Sequence, residues 1–415
     1  IIPMFWIFTY FLIGSYRRVY RRSRLNDLGN SIAVSFLGTI AIFFILVLDD
    51  FVKDPIYFRE AFIVLLTVTF TCRYIPRFFL LTYIKNKIVK RQIGFNTILI
   101  GNGERAKNLF NEFESEKYSQ GFLFRGYVQT NVKSKPLDVN LPCLGKIEDL
   151  AQIIGNKNIE EVIIALEPEE RDTIEPLIQQ FDGMPVLVKM IPDMYDIISG
   201  RVKMKNLFGT ALIEIFPEIL SPFQSNMKRI LDIGLSLFAL LLLSPLYILL
   251  ALLVRKSSKG PIFFKQERIG LKNKPFYIIK YRTMIEDAEQ GKPQLSSTHD
   301  PRITPIGRFL RKYRFDELPQ FYNVLKGEMS LVGPRPERQF FIDKIVLRAP
   351  QYKHLMTVKP GITSWGMVKY GYAENVDQMI DRMKYDLLYI ENMSLGMDLK
   401  IFLYTAITIL GGRGK

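Results

Sequence analysis

Two adjacent acids, Asp316 and Glu317, precede a proline and an apolar run in the segment RFDELPQFYN (314–323). Acidic residues favour the first turn of a helix, and Pro319 suits an early helical position. The Lys-Gly pair at 326–327 then gives a plausible helix end. The acids therefore allow two interpretations, an acidic helix start or a catalytic carboxylate pair. The motifs around them help to distinguish the two.

Compact polar motifs on both sides of the acids supply basic side chains. They contain Gln266 and Arg268 in FFKQERIG (263–270), Lys280, Arg282 and Thr283 in IIKYRTM (278–284), Arg311 and Arg314 ahead of the acids, and Arg335 between Pro334 and Pro336 in MSLVGPRPE (329–337). The two prolines fix the backbone that presents the Arg335 guanidinium. Each motif alone could be a solvated loop, but together they offer cations for phosphate oxygens and carboxylates for Mg²⁺. They predict Mg²⁺-assisted phosphoryl chemistry.

These motifs have to be positioned by a long, basic chain. Its 415 residues are enough for two or three domains, and it combines a net charge of +15 with 48% hydrophobic residues. Nucleic acid or an anionic membrane surface usually explains such a basic balance. The basic clusters at 16–24, 85–91 and 255–259 adjoin apolar segments, which favours the membrane. Two cysteines and two histidines predict neither a disulfide framework nor a histidine-rich zinc site.

Three N-terminal apolar segments, 1–16, about 31–48 and about 60–82, predict membrane-spanning helices. Basic clusters follow the first and third segments, and acidic residues within 49–54 follow the second. The positive-inside rule therefore places the first and third connections in the cytoplasm and the second one outside. Because the sequence opens inside an apolar run, we expect a further helix upstream of residue 1.

The segment 92–200 predicts a Rossmann-like α/β domain. In FNTILIGNGERAKNLFNEF (95–113), Gly101, Gly103 and Ala106 match the G-x-G-x-x-A pattern between a strand and a helix. These glycines can form a tight turn or bind a nucleotide. The next strand ends in Gln and Thr instead of the acid that binds a ribose, which favours the turn. A linker is expected at 201–226.

The apolar segment 227–259 predicts a re-entrant membrane helix. It is long enough to span a bilayer, yet basic pairs stand at both ends, and Ser244-Pro245 near its middle should bend it. A helix that enters and leaves on one side keeps both basic ends in the cytoplasm. A proline-kinked span is the alternative.

The residues from 260 to 415 are polar, basic and rich in Gly-Pro turns, which predicts a globular domain pressed to the cytoplasmic membrane face. The tail of this domain, MDLKIFLYTAITILGG (397–412), is apolar but short for a span. An interfacial or core helix fits that length.

The motifs of this domain closely resemble, in order, those of the bacterial sugar transferase family, the polyprenyl-phosphate hexose-1-phosphate transferases. They are the Ser-Pro bend, KQERIG, KYRTM, RFDELPQFYNVLKGEMSLVGPRPE and KPGITSWG, and the resemblance covers residues 226–412. The N-terminal helices and the α/β domain resemble the extension of the large family members. The resemblance implies an α/β multi-domain membrane protein of the bacterial inner membrane, with a monotopic re-entrant helix and a mainly helical α+β catalytic domain on the cytoplasmic face.

The resemblance also implies an activity. Enzymes of this family move a hexose-1-phosphate from a UDP-sugar to undecaprenyl phosphate, release UMP, and start a capsule, an exopolysaccharide or the O-antigen of lipopolysaccharide. Mg²⁺ would be the cofactor. The partners would be the UDP-sugar, undecaprenyl phosphate, membrane lipid and, as an option, a second copy of the chain, with no nucleic acid. The motifs do not fix which sugar is moved.

Residue roles follow from the same motifs. Asp316 would be the nucleophile that forms a covalent phosphosugar, and Glu317 would hold Mg²⁺. The basic residues Lys280, Arg311 and Arg335 would offset the repulsion between carboxylate and pyrophosphate. The remaining polar residues of the motifs, Gln266, Arg268, Arg282 and Thr283, would bind substrate phosphate or nucleotide. Met367 stands near a position where many relatives carry Gln, so a polar role of that loop is not expected to transfer.

Two other classes of protein stay open from the residues alone. A membrane-anchored nucleotide-sugar dehydratase would need a Tyr-x-x-x-Lys helix. The segments 83–87 and 322–326 match this spacing, but neither follows a glycine-rich strand, loop and helix at a sensible distance. A membrane scaffold with a decayed transferase domain would not need the intact acid pair, Lys280 and Arg335.

Overall fold

The computed structural model describes residues 2–16, 19–21, 23–47, 55–115, 119–130, 137–181, 184, 186–192, 212–215, 219–285 and 300–411. The chain divides into two compact units, Ile1–Pro217 and Glu218–Lys415. The acidic connection predicted at 49–54 and most of the linker predicted at 201–226 lie outside the described residues. Each unit has a hydrophobic core of its own.

Three helices open the first unit: α1 (Ile2–Leu12), α2 (Arg24–Val47) and α3 (Pro55–Val89). Both α2 and α3 are long and apolar enough to cross a membrane, whereas α1 is a shorter apolar helix. The second and third predicted spans are therefore matched by helices of spanning length.

An ion pair explains how α3 continues through the arginines in its apolar sequence. Arg77 donates hydrogen bonds to both carboxylate oxygens of Asp27 on α2, at 2.8 and 2.6 Å. The buried Arg73 guanidinium lies over the ring of Tyr10, 4.6 Å from its centroid. Partnered charges cost far less in apolar surroundings than isolated ones, so both arginines are accommodated in one continuous helix.

The α/β part of the first unit is a six-stranded sheet in the order β3-β2-β1-β4-β5-β6. The strands are β1 (Phe95–Ile100), β2 (Phe122–Gln129), β3 (Cys143–Lys146), β4 (Glu161–Ile164), β5 (Leu187–Met190) and β6 (Ile213–Glu214), with helices α4 (Glu104–Ser115), α5 (Leu150–Asn156) and α6 (Ile174–Gln180) between them. Neighbouring strands are parallel except for β5 and β6. The apolar side chains of β4 and those of Ile98, Leu99 and Ile100 in β1 are buried, as expected for a parallel sheet covered on both faces. The predicted α/β character is confirmed.

The second unit begins with two helices, α7 (Pro222–Leu242) and α8 (Ser244–Ser257), which meet at an angle of 65°. The bend falls where Pro245 was expected to produce it, and Ser244 Oγ donates to the carbonyl of Leu241 at 2.8 Å. Proline removes a helical hydrogen bond, and the serine hydroxyl occupies a carbonyl that the bend leaves free. Both a broken span and a re-entrant helix have this shape, so the re-entrant arrangement stays a prediction.

The rest of this unit is mainly helical and holds two small sheets. The strands β7 (Phe263–Ile269) and β8 (Pro275–Tyr281) form an antiparallel hairpin, and β9 (Ser330–Val332) and β10 (Gly361–Thr363) form a parallel pair. The helices are α9 (Pro305–Lys312), α10 (Gln320–Lys326), α11 (Gln339–Val346), α12 (Trp365–Lys369), α13 (Val376–Glu391) and α14 (Leu395–Leu410). The apolar faces of α10 to α14 meet in one core, whereas Leu310 of α9 packs with Leu250 and Val254 of α8 and Tyr281 of β8. On α14, Ile401 is buried in that core while Leu403 and Ile407 are exposed, as in a helix that lies along an apolar interface.

Polar residues of α7 fasten it to the strands and helices that carry the acid pair. Arg229 donates to the carbonyls of Val324 and Leu325 at the end of α10, at 2.7 and 2.9 Å. Lys228 donates to the carbonyl of Val332 at 2.9 Å and also binds Asp398. The basic pair that was predicted as a flank of the membrane helix therefore lies within the second unit.

Candidate active site

The two acids lie in a short turn directly ahead of α10. Residues Phe315–Glu317 form one turn of 3₁₀ helix, Pro319 precedes the first residue of α10, and Gly327 ends the helix with a φ of 91°. No side chain caps the start of α10. Both acids are buried, with 8% of Asp316 and 4% of Glu317 exposed. The helix end at Gly327 is confirmed, and the acids lie in the turn that leads into α10 without capping that helix through a side-chain hydrogen bond.

The Glu317 carboxylate is bound by two cations from different elements. Lys280 on β8 donates to Oε1 at 2.8 Å, and both terminal nitrogens of Arg335 donate to the same oxygen at 3.3 and 3.4 Å. Burial raises the pKa of Glu317, but Lys280 and Arg335 lower it more, so the net pKa lies below the usual range. Glu317 is therefore a fixed negative charge at neutral pH.

Asp316 has a different environment. No hydrogen bond to its carboxylate occurs within the described part of the chain, although Lys280, Arg311 and Arg314 act on it electrostatically. Burial raises its pKa to about 6, with the Glu317 charge adding to the effect. An ionised carboxylate with a raised pKa and free oxygens is more nucleophilic than an exposed one. The pair thus combines one anchored carboxylate with one unbonded carboxylate.

Thr283 and Arg282, two residues of the KYRTM motif, contact different parts of the second unit. Arg311 on α9 donates from Nε to Thr283 Oγ1 at 2.9 Å, which joins these two predicted site residues. Arg282 instead donates to the carbonyl of Ser258, just past the end of α8, at 2.7 Å. The structure therefore places Thr283 and Arg311 with the acid pair and Arg282 at the helix pair.

Gln266 and Arg268 lie in a buried ion-pair network behind Arg335. Arg268 donates to Gln266 Oε1 and to Glu337 Oε2, both at 2.8 Å, and to the carbonyl of Pro336 at 3.2 Å. From the other side, Arg382 on α13 donates to Glu337 Oε1 at 2.7 Å. The network holds the PRP loop (334–336) in place, so these side chains support Arg335, and their predicted contact with a nucleotide stays a prediction.

Sequence reasoning missed three members of this network. Glu337, Arg382 and Asp386 are almost fully buried, and Asp386 accepts a hydrogen bond from the Gly366 amide at 2.8 Å. Burial raises the pKa of Asp386 to about 6. Met367 is buried with its sulfur 3.9 Å from an Arg382 nitrogen. The sequence signal for two of them was the charge at 382 and 386, because helical spacing places these positions on the same face of α13 as its apolar residues.

A second feature lies in the first unit, at the glycine turn between β1 and α4. The Glu167 carboxylate accepts a hydrogen bond from the Arg105 amide, in the first turn of α4, at 2.8 Å. A Cβ atom at Gly103 would collide with this carboxylate, and one at Gly101, which has a φ of 127°, would collide with the Ala165 carbonyl. Close packing thus accounts for both glycines, as the turn interpretation expects.

Comparisons with known proteins match both units. The family model described as "Bacterial sugar transferase" matches residues 223–412, and the one described as "CoA-binding domain" matches residues 12–192. One relative is the UDP-N-acetylgalactosamine-undecaprenyl-phosphate N-acetylgalactosaminephosphotransferase of Aeromonas hydrophila. It is 41% identical over 224 residues, which cover 54% of this chain and 52% of that protein.

Two UDP-glucose:undecaprenyl-phosphate glucose-1-phosphate transferases are also similar. The protein from Klebsiella pneumoniae is 32% identical over 320 residues, 76% of this chain and 68% of that protein. The protein from Caulobacter vibrioides is 40% identical over 187 residues, 44% of this chain and 69% of that protein. The chain thus spans about half to two thirds of the length of these relatives.

The glycine turn does not fit coenzyme A or a dinucleotide in the usual way. In Rossmann-like folds the phosphates lie against the amides at the start of the helix that follows the glycines. Here the Glu167 carboxylate already accepts from the Arg105 amide and packs on Gly103. A phosphate at this place would meet the Glu167 carboxylate, so the turn disfavours such a ligand.

Proposed function

Because the chain belongs to the bacterial sugar transferase family, we propose that it transfers a sugar-1-phosphate from a UDP-sugar to undecaprenyl phosphate and releases UMP. Relatives named for these substrate classes are 37–41% identical to parts of this chain, and the family model covers the residues of the acid pair. The observation that carries the proposal is the asymmetry of this pair: Glu317 is bound by Lys280 and Arg335, while Asp316 is buried with its oxygens unbonded by described residues.

In the proposed reaction Asp316 is the nucleophile. Its carboxylate attacks the β-phosphorus of the UDP-sugar, UMP leaves, and an aspartyl-phosphosugar remains. The lipid phosphate then attacks the same phosphorus and regenerates the carboxylate. A pKa of about 6 supports this role, because Asp316 is mostly ionised at neutral pH and yet more basic than an exposed aspartate.

Positive charge around the acids would make the approach of anions possible. Lys280 and Arg335 are fixed by Glu317, and Arg311 is fixed by Thr283. Groups held in this way stabilise developing charge on phosphate oxygens without having to reorganise during the reaction. Arg335 is the best placed of them because the PRP loop and the Glu337 network restrict its backbone.

Mg²⁺ fits the donors of this site. No cluster of three or more His, Cys, Asp or Glu side chains occurs among the described residues, and Mg²⁺ commonly takes one or two carboxylates together with substrate phosphates. Glu317, with Asp316 beside it, would hold the ion, which supplies positive charge to the pyrophosphate when bound.

The membrane segments suit a reaction between a soluble and a lipid substrate. We propose that the bent pair α7–α8 enters the cytoplasmic leaflet and leaves on the same side, and that the first and third N-terminal connections face the cytoplasm. Exposed apolar residues on both arms, such as Phe238, Leu241 and Ile248, support an apolar environment for the pair. The product would start a surface glycan such as a capsule, an exopolysaccharide or an O-antigen.

The test is UMP release by the purified full chain from a panel of UDP-sugars, with and without undecaprenyl phosphate and Mg²⁺. Sustained release from one sugar that requires lipid phosphate and metal, and that is lost in Asp316→Asn, is the expected result. Asp343→Asn, an exposed aspartate on α11, is the matched control and should keep full activity. If no UDP-sugar yields UMP while the protein stays folded, the transferase proposal is wrong.

A further inference from the structure

Arg314, two residues before Asp316, is a buried arginine whose side chain has no hydrogen-bond acceptor among the described residues. Only 8% of the residue is exposed, and its Nε is buried without such a partner. Lys280 and Arg335, by contrast, donate to Glu317. A buried cation without an acceptor is costly, and in native proteins such a group usually has a function that supplies the acceptor.

The backbone at Arg314 is also unusual. Its φ of 54° and ψ of 24° lie in the left-handed region, which bulky residues rarely adopt. Its amide donates to the Arg311 carbonyl at 3.2 Å, and its carbonyl accepts from the Glu317 amide at 3.1 Å. A turn that is strained in this way persists where the surroundings fix it, and it ties the direction of Arg314 to the acid pair.

Tyr372, which follows α12, holds Arg314 beside Arg335. The Arg314 guanidinium lies 5.2 Å from the centroid of the Tyr372 ring, and the Arg335 guanidinium lies 5.4 Å from it. Burial raises the pKa of the phenol, so the ring stays neutral. An aromatic face attracts cations without neutralising them, so Tyr372 can keep two guanidinium groups together and available for an anion.

The balance of charges around the acids favours the binding of an anion. Four cations, Lys280, Arg311, Arg314 and Arg335, act on the two carboxylates. These four cations outnumber the two carboxylates on which they act, so the described side chains favour the binding of an anion. Since Lys280 and Arg335 are bound to Glu317, Arg314 is the cation best able to provide new hydrogen bonds.

We propose that Arg314, with Tyr372 as its platform, binds a phosphate ester of a substrate at the acid pair. This inference rests on the proposed function. In the first step a bond forms between Asp316 and the β-phosphorus, the bond from that phosphorus to the UMP phosphate oxygen breaks, and UMP leaves with the electron pair. In the second step an oxygen of the lipid phosphate bonds to the phosphorus, and Asp316 leaves as a carboxylate. Arg314 binds either the UMP phosphate or the lipid phosphate, and it exchanges no proton.

The variant Arg314→Gly separates this role from a structural one. Glycine adopts the left-handed conformation without strain, so the turn should fold as well as before, or better, while the guanidinium is lost. Lys272→Gly is the matched control, because Lys272 is exposed, has a φ of 57°, and lies in the turn between β7 and β8. Tyr372→Phe keeps the aromatic face, whereas Tyr372→Leu removes it.

The experiment measures UMP release with and without undecaprenyl phosphate, together with the melting temperature of each full-length variant. We expect Arg314→Gly to melt at or above the wild-type temperature and to lose at least tenfold in activity. Slower UMP release without lipid, with a raised KM for the UDP-sugar, identifies the UMP phosphate as the ligand. An intact first step with a raised KM for the lipid identifies the lipid phosphate. Tyr372→Leu should show the same defect more weakly, and Tyr372→Phe should show almost none.

Activity and both KM values within twofold of wild type in a folded Arg314→Gly protein would overturn the proposal. Calorimetric titration with inorganic pyrophosphate separates this outcome from a failure of the transferase assignment. If the wild-type protein releases no UMP from any UDP-sugar but binds pyrophosphate at least tenfold more tightly than Arg314→Gly, the anion site stands and the proposed reaction does not. Equal pyrophosphate affinities would count against the site.

Discussion

The contrasting environments of Asp316 and Glu317 predict that removing their charges changes stability in opposite directions. Burial raises the pKa of Asp316 from 3.8 to about 6. At about 1.4 kcal/mol per pKa unit, the ionised carboxylate costs the folded state up to about 3 kcal/mol at neutral pH. Asp316→Asn removes this cost, so we expect a folded state that is more stable by about 1–3 kcal/mol.

Glu317→Gln should have the reverse effect. The carboxylate is the shared acceptor of Lys280 and Arg335, and all three side chains are largely buried. Removing one partner of a buried ion pair leaves uncompensated charge and costs about 3–5 kcal/mol. Both variants lose turnover under the proposed mechanism, so activity alone would not tell them apart.

The assay is thermal unfolding of the purified variants from pH 4 to pH 8. For a unit of about 200 residues, 1 kcal/mol shifts the melting temperature by about 2–4 °C, so Asp316→Asn should gain about 5 °C at pH 8. The folded-state pKa of Asp316 is raised, so the cost of its charge is full above pH 6 and disappears as pH falls towards 3.8. The gain should therefore shrink on acidification, while Asp343→Asn shows no comparable change.

Two outcomes would refute this reasoning. If Asp316→Asn is less stable than wild type at pH 8, the carboxylate is not an electrostatic burden in the folded state. If the gain is the same at pH 4 and pH 8, its origin is not the Asp316 charge. A stabilising Glu317→Gln would show that the bonds from Lys280 and Arg335 are weaker than their geometry indicates.

Three further predictions concern other contacts. The first-step rate should fall about tenfold per pH unit below pH 6 as Asp316 is protonated, and a flat profile down to pH 4.5 would contradict the assigned nucleophile. Glu337→Gln should cost about 3–5 kcal/mol of stability and raise the KM for the UDP-sugar, because the PRP loop loses its support; an unchanged melting temperature would exclude this. In a protein that already carries Arg314→Gly, the further substitution Glu167→Ala should allow pyrophosphate binding that calorimetry detects. Equally weak binding with and without Glu167 would show that this carboxylate does not keep phosphate from the glycine turn.

Sequence reasoning succeeded where the signal was local. The bend at Ser244-Pro245 and the helix end at Gly327 follow from the backbone preferences of one or two residues, and both occur at the expected place. The grouping of Lys280 and Arg335 with the acid pair was predicted from the motifs taken together and from the family resemblance, because no local pattern links residues so far apart in the chain.

Contacts that depend on tertiary packing were not predictable in the same way. Arg268 is bound by Glu337, 69 residues away in the chain, and no local pattern indicates this partner. The position of the Glu167 carboxylate at the glycine turn depends on how β4 lies beside β1, which the G-x-G-x-x-A pattern does not encode. The basic pair at 228–229 was interpreted as a membrane flank from composition alone, and its partners are carbonyls of α10 and β9 and the carboxylate of Asp398.

The way α7 is fastened has a consequence for recombining these enzymes. Arg229 binds the carbonyls of Val324 and Leu325, and Asp232 accepts from the Leu331 amide at 3.0 Å, so these contacts recognise main chain and not particular side chains. The bent helix pair of a relative should therefore graft onto this unit if it keeps Arg and Asp three residues apart on one face, together with a basic residue that can bind Asp398. Exchange of this helix pair between relatives would then change the apolar segment and leave the acid pair and its cations in place.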